Sequence, residues 1–257
     1  MNLPSLRKSI DRLDAQLVRL LNERTRIARE IGRVKHANGD AVYAPEREQD
    51  VLARVVAHSG GPLQPAALQS IYREIMSAAL AMECQLVVGV AQDSRGETAV
   101  AARGHFGGSV TYRHFASAAA LLQAARTGRV DLAFLPGDEV MRAVAGPLAR
   151  AFAAGQLAVC ASVKGRKTFF VVGRQRPPGG AGHSRLCAWI GRQRRGGVRL
   201  DVPKGWRVGP VLKVGLTAVW PLIGPDGASI DEVTARLART MGEGRLLELG
   251  SSPPGRA

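Results

Sequence analysis

Cysteine is scarce in this chain of 257 residues: Cys84, Cys160 and Cys187 are the whole complement. Their odd number, wide spacing and lack of a CxxC pair predict neither a disulfide framework nor a zinc site. Buried or idle thiols are expected, with no metal and no other cofactor. Long apolar runs are missing too. The longest, such as Leu86 to Ala91 and Ala116 to Ala125, fall well short of the roughly 18 to 20 residues a bilayer needs, so no membrane span is expected. Arg7, Lys8, Asp11, Arg12 and Asp14 interrupt the first turns, which leaves no apolar signal core to draw and predicts a cytoplasmic protein.

What is present is close to an ordinary globular composition, 46% hydrophobic and 22% charged residues, which argues against a disordered or fibrous chain. The length suggests one to three domains. Charge is the unusual quantity, at +15 net. Residues 1–83 are nearly balanced, with 12 Lys/Arg against 10 Asp/Glu, so almost all of the excess lies beyond them. Between Lys164 and Lys213 there are 13 basic residues and a single acid, Asp201. Such a stretch makes a polyanionic partner thinkable.

Leu6, Ile10, Leu13, Leu17, Leu20, Arg24, Ile27, Ile31 and Val34 recur at steps of four and three, a heptad seam along one long helix. A helix of about 30 residues spans roughly 45 Å. The two shorter helices that follow cannot cover it, so a second copy of the helix is the expected lid and an intertwined dimer the hypothesis. Asn38-Gly39 ends the helix, Pro45 opens a second to about Ala57, Gly60-Gly61-Pro62 breaks that one, and a third runs from about Pro65 to Cys84 with Leu68, Ile71, Ile75 and Met82 as its apolar stripe.

At Leu86 the pattern changes to short apolar runs alternating with alanine-rich segments, an α/β signature. Strands are expected at 86–91, 109–112, 130–135, 157–161 and 169–173, with helices near 116–127 and 141–153. After the Gly/Pro-rich residues 177–183, further strands are expected at 186–190, 211–216 and 245–249, with a helix opened by the capping box Ser229-x-x-Glu232. The reading is multidomain, α plus α/β: residues 1–84 helical, 85–176 an α/β domain, 177–183 a linker, and 184–257 a small α+β module.

Arg24 is the most informative side chain, because every other member of its seam is Leu, Ile or Val. A guanidinium there needs an anion. A core carboxylate of the partner helix would serve as well as a ligand. Lys35 lies eleven residues later, three turns on and roughly 16 Å along the same face. Arg47 and Glu48 open the second helix, and Glu83 sits at the edge of the third helix's stripe. Each alone reads as solvated charge. Together they describe a basic, enclosed pocket for a small polyanion.

Leu6-Arg7, Ile10-Asp11, Leu13-Asp14, Leu20-Leu21-Asn22-Glu23-Arg24, Ile31-Gly32-x-x-Lys35, Val42-Tyr43-x-Pro45-x-Arg47-Glu48, Gly61-Pro62-Leu63 and Tyr72-Arg73-Glu74-Ile75-Met76-Ser77 resemble the all-helical chorismate mutases over about residues 3–84. The likeness is greatest to the mutase domain that opens the bifunctional chorismate mutase/prephenate dehydratases. The resemblance implies a domain-exchanged homodimer of three-helix subunits that turns chorismate into prephenate on the route to phenylalanine and tyrosine. It also implies that Arg7 and Arg24 bind carboxylates, that Lys35 faces the ether oxygen and a carboxylate, that Glu83 faces the same oxygen, and that Arg47 and Glu48 order the site and take the ring hydroxyl. Arg7 precedes Arg24 by seventeen residues, roughly 25 Å of helix, so Arg7 is expected from the partner chain. This sequence departs from some relatives at Ala44, where they carry aspartate, and at Ala79, where they carry serine.

The remainder resembles the dehydratase half only in outline. His105-Phe106-Gly107-Gly108-Ser109-Val110 looks like its HFGxSV segment, Thr168 to Gln175 like its close, and Leu249-Gly250-Ser251-Ser252-Pro253 like the LGSYP end of its ACT module. The GPxGTF segment reads Ala91-Gln92-Asp93-Ser94-Arg95-Gly96-Glu97-Thr98, the ENS segment reads Gly137-Asp138-Glu139, and Lys167-Thr168-Phe169 puts lysine where the catalytic threonine of that family stands. About 30 residues separate Gly137 from Lys167, where a complete dehydratase inserts most of a second lobe. A shortened, inactive dehydratase-like domain followed by a degenerate ACT-like module is expected. Two rivals remain: a mutase acting on 4-amino-4-deoxychorismate in secondary metabolism, and a nucleic-acid-binding or regulatory protein using 164–213, whose only aromatics are Phe169, Phe170, Trp189 and Trp206 and which matches no binding motif.

Overall fold

The computed structural model describes residues 2–41, 43–175, 183–192 and 200–253. Val42 of the motif above, most of the expected linker at 177–183 and the basic run 193–199 lie outside them. The chain divides into two compact units, of which the first is residues 1–43, 48–86 and 106–111, and the second is 44–47, 87–105 and 112–257. Among the described residues no helix is long and apolar enough to cross a membrane.

The first unit is built on three helices, α1 (Leu3–Asn38), α2 (Pro45–Ala57, from Glu48 onward in this unit) and α3 (Pro65–Cys84). The Asn2 side chain caps α1 by accepting the Ser5 N–H at 3.0 Å. Gly39 closes it at φ 71°, a left-handed turn that glycine adopts without steric cost. Proline opens both α2 and α3, where the missing N–H costs nothing. In the single chain only Gly32 of α1 is buried. The apolar members of the heptad seam, from Leu6 to Val34, are 46% to 60% exposed. The stripe read for α3 is likewise uncovered at Ile71 and Met82, and the face that α3 buries carries Met76, Ser77 and Ala79 instead.

The second unit adds β1 (Val87–Ala91), α4 (Glu97–Phe106), β2 (Thr111–Phe115), α5 (Ala118–Arg126), β3 (Leu132–Pro136), α6 (Gly137–Val144), α7 (Ala149–Ala153), β4 (Ala158–Lys164) and β5 (Thr168–Gly173). These are followed by β6 (Ser184–Arg192), β7 (Arg207–Val208), β8 (Leu212–Val214), β9 (Thr217–Pro225), α8 (Ile230–Met241) and β10 (Gly244–Ser252). Mixed helix and sheet are as expected, with three corrections. Helix α4 was not foreseen; the Asp93 carboxylate caps it by accepting the Glu97 and Thr98 N–H groups at 3.0 and 2.7 Å. The helix read at 141–153 is two, broken where Gly146-Pro147 removes a backbone donor. The strand read at 211–216 is a hairpin turning at Gly215, φ 58°, whose second arm β9 carries Pro221 and Pro225, residues that argue against a strand by sequence. The β8 pairing ends at Val219 and the β7 pairing begins at Leu222, so Pro221 falls in the gap.

The expected linker at 177–183 lies between strands of a common sheet. The strands on both sides of it form one sheet, in the order β2-β1-β3-β5-β4-β10-β6-β9-β7 with β8 on β9. β10 pairs parallel to β4 at Gly250↔Val159 and antiparallel to β6. A side chain at Gly250, φ 144°, would overlap the Val159 backbone, which is why glycine stands there. Residues 184–257 therefore do not close a sheet of their own. One apolar cluster packs α5, α6 and α7 on the sheet. A second gathers Trp189, Trp206 and Trp220 with Val233, Leu237 and Met241 of α8. Phe169, Phe170, Trp189 and Trp206 are all buried, so the aromatics that a nucleic-acid surface in 164–213 would need are committed to the core.

Candidate functional site

The helical unit brings Lys35, Glu83 and Glu48 together, and Gly32 explains how. A Cβ at Gly32 would overlap Glu83 Cγ and stand 3.3 Å from Glu83 Cβ. A glycine inside a helix costs roughly 1 kcal/mol relative to alanine; here it lets the Glu83 side chain of α3 lie flat against α1. Lys35, one turn beyond Gly32, then reaches Glu83, with Nζ 3.7 Å from Oε1. The Glu83 side chain is 9% exposed, and its buried Oε1 faces the Lys35 ammonium. Burial raises the Glu83 carboxyl above the ordinary carboxylate range, while the Lys35 ammonium works against that shift.

Glu48, in the first turn of α2, is pushed up further. Loss of solvent carries its pKa to about 8, although Arg73 on α3 and Lys35 both favour the ionised form. The residue as a whole is only half-buried, so it is the surroundings of the carboxyl group that matter. Near neutral pH a carboxylic acid in this state presents an O–H donor as well as an acceptor. A lysine beside two carboxyl groups whose ionised forms burial disfavours makes a cluster with less negative charge than the two glutamates would carry in water. That is the chemistry an enclosed dianion requires.

Arg24 is half-buried on the seam and finds no carboxylate among the described residues. It stands eleven residues before Lys35, on the same face of α1. Arg7 is exposed, and 28 residues of helix, roughly 42 Å, separate it from Lys35. The chain's own Arg7 is thus not part of this cluster. Arg47 is exposed at the start of α2. Arg73 was missed as a site residue, although it stands in the Tyr72 to Ser77 motif; its charge toward Glu48 depends on how α2 and α3 pack, which no local spacing reveals. A cavity of about 440 Å³ in the second unit, lined by Gln123, Arg126, Arg150 and Gln156 among others, contains none of these residues.

Residues 6–84 match the family described as chorismate mutase type II. The bifunctional chorismate mutase/prephenate dehydratase of Aquifex aeolicus is 33% identical over 146 residues, which are 55% of this chain and 40% of that protein. The protein of the same name from Neisseria gonorrhoeae is 42% identical over 101 residues, 39% of this chain and 27% of its own length. The chain spans less than half the length of these curated relatives. Among solved structures, a chorismate mutase of Thermus thermophilus is 37% identical and covers 32% of this chain and 92% of its own, with a TM-score of 0.31.

Proposed function

We propose, from the match of residues 6–84 to the chorismate mutase type II family, that the chain converts chorismate to prephenate as a homodimer. The observation that carries the reading is the Lys35–Glu83 pair, enclosed over Gly32 with the carboxyl raised. The rearrangement is pericyclic, with no nucleophile and no obligatory proton transfer. The protein's task is to hold a compact dicarboxylate conformer and to stabilise charge on the breaking ether oxygen. The Lys35 ammonium and protonated Glu83 supply donors for that oxygen. Arg24 binds one carboxylate, Arg7 from the second copy binds another, Arg47 orders the site, and Glu48 takes the ring hydroxyl. The uncovered apolar seam of α1 supports the second copy, since eight large side chains at heptad spacing would otherwise stand in water.

The test follows chorismate loss and prephenate formation across pH. The value of kcat/KM is expected to fall as pH rises into and through the region of Glu48's pKa of about 8, because Glu83 and Glu48 lose their protons and become acceptors only. Glu83→Gln, a permanent donor, is expected to remove Glu83's share and flatten the profile. Superimposable profiles for the two proteins would remove Glu83 from the mechanism.

Dehydratase activity is absent in this reading. Lys167 stands where that family's hydroxyl residue would, and it pairs with Glu97 at 3.3 Å. Prephenate given to the chain should yield no phenylpyruvate above the uncatalysed rate. Formation abolished by a mutation within 90–175 would overturn this part.

A further inference from the structure

We propose that Phe106–Thr111 is a strap that holds α3 in the position the mutase site needs, with Ser77 and Gly107 as its positioning pair. The inference rests on the mutase reading. By sequence, His105-Phe106-Gly107-Gly108-Ser109-Val110 belongs with the α/β half, yet residues 106–111 are built into the helical unit.

Four contacts make the strap. The Phe106 ring packs at 5.4 Å and 56° on Tyr43, both nearly buried. Gly108 donates its N–H to Glu74 Oε2 at 2.9 Å, and Ser109 donates its own to Ser77 Oγ at 3.0 Å. Thr111 donates to the Leu86 carbonyl at 3.1 Å, just past the end of α3. Ser77 is 1% exposed, so its hydroxyl is the acceptor on which the buried side of the strap depends. Gly107 allows the approach: its φ is +77°, and a Cβ there would stand 2.5 Å from Ser77 Cβ and 2.7 Å from Ser77 Oγ.

The placement matters because of helix geometry. Glu74 and Ser77 share one face of α3, and Glu83, nine residues after Glu74, lies half a turn away on the opposite face. That opposite face carries the Gly32 contact and Lys35. The helix is therefore held from two sides, by α1 where Glu83 sits and by the strap where Glu74 and Ser77 sit. A slip of one residue would move Glu83 about 1.5 Å along the axis and turn it about 100°, off both Gly32 and Lys35. Phe106 meanwhile fixes Tyr43, five residues before Glu48 on the lead into α2.

Gly107→Ala in the full chain forces an L-residue into the left-handed region and pushes on Ser77. Its kcat with chorismate is expected to fall about tenfold or more, in line with the cost of small misplacements in a preorganised site, with helical circular dichroism retained. The alkaline fall of kcat/KM is expected to move to lower pH, because water reaching Glu48 and Glu83 lets Arg73 and Lys35 hold them ionised. Ser77→Ala, which leaves the Ser109 N–H without its acceptor, should shift both readouts the same way by less, and it carries the test if Gly107→Ala does not fold. Wild-type protein that leaves chorismate unchanged overturns the mutase reading and the strap with it. Active wild-type protein, with variants that lose thermal stability but keep kcat, KM and the pH profile, overturns the strap alone.

Discussion

Lys35→Ala is expected to lower kcat with chorismate by at least about 10²-fold, the scale seen when one preorganised electrostatic donor is removed. The fold should tolerate the change. Lys35 favours the ionised forms of both Glu48 and Glu83; without it both carboxyls become easier to keep neutral, and no buried charge is stranded. The helical circular dichroism should stay at the wild-type level while turnover collapses. Arg24→Ala should behave alike, since Arg24 has no carboxylate among the described residues to abandon. Turnover near wild type in either variant would sink the assignment of the site.

Mixing two inactive chains should restore activity. Arg7 is roughly 42 Å of helix from Lys35 in its own chain, so a site using both must borrow one of them. Arg7→Ala and Lys35→Ala proteins, each nearly inactive, are expected to regain up to about a quarter of wild-type activity when unfolded and refolded together. Half of the dimers are then mixed, and one of the two sites in each carries both side chains. Mixed dimers demonstrated by mass, yet inactive, would exclude a shared site and return Arg7 to the solvent.

The helical unit was legible because its signals are local. Heptad spacing from Leu6 to Val34, Gly39, Pro45 and Pro65 mark its elements within about three residues of where they lie. The second unit was harder for reasons that are equally physical. The capping carboxylate of α4 sits four and five residues before the N–H groups it accepts, outside the usual capping-box spacing. β9 carries two prolines that are harmless only because of where its neighbours stop. Above all, the pairing of β10 with both β4 and β6 is long-range and leaves no periodic trace. At the site, Lys35, Glu48 and Glu83 could be named from motif resemblance, but the reason for Gly32 and the part of Arg73 emerge only when α1, α2 and α3 are packed.

The route of β10 back to β4 sets an order on how the chain can fold. Ser162 donates its N–H to Ser252 Oγ across 90 residues of sequence, and β4 has no second neighbour until residues 244–252 have been made. Everything that builds the helical unit is in hand once residue 111 has emerged from the ribosome. The unit holding the candidate site can thus assemble while the middle of the sheet still waits for its last strand. Non-local pairing of this kind is slow relative to helix formation. The sheet's completion, rather than the helices, is therefore the step expected to be slowest.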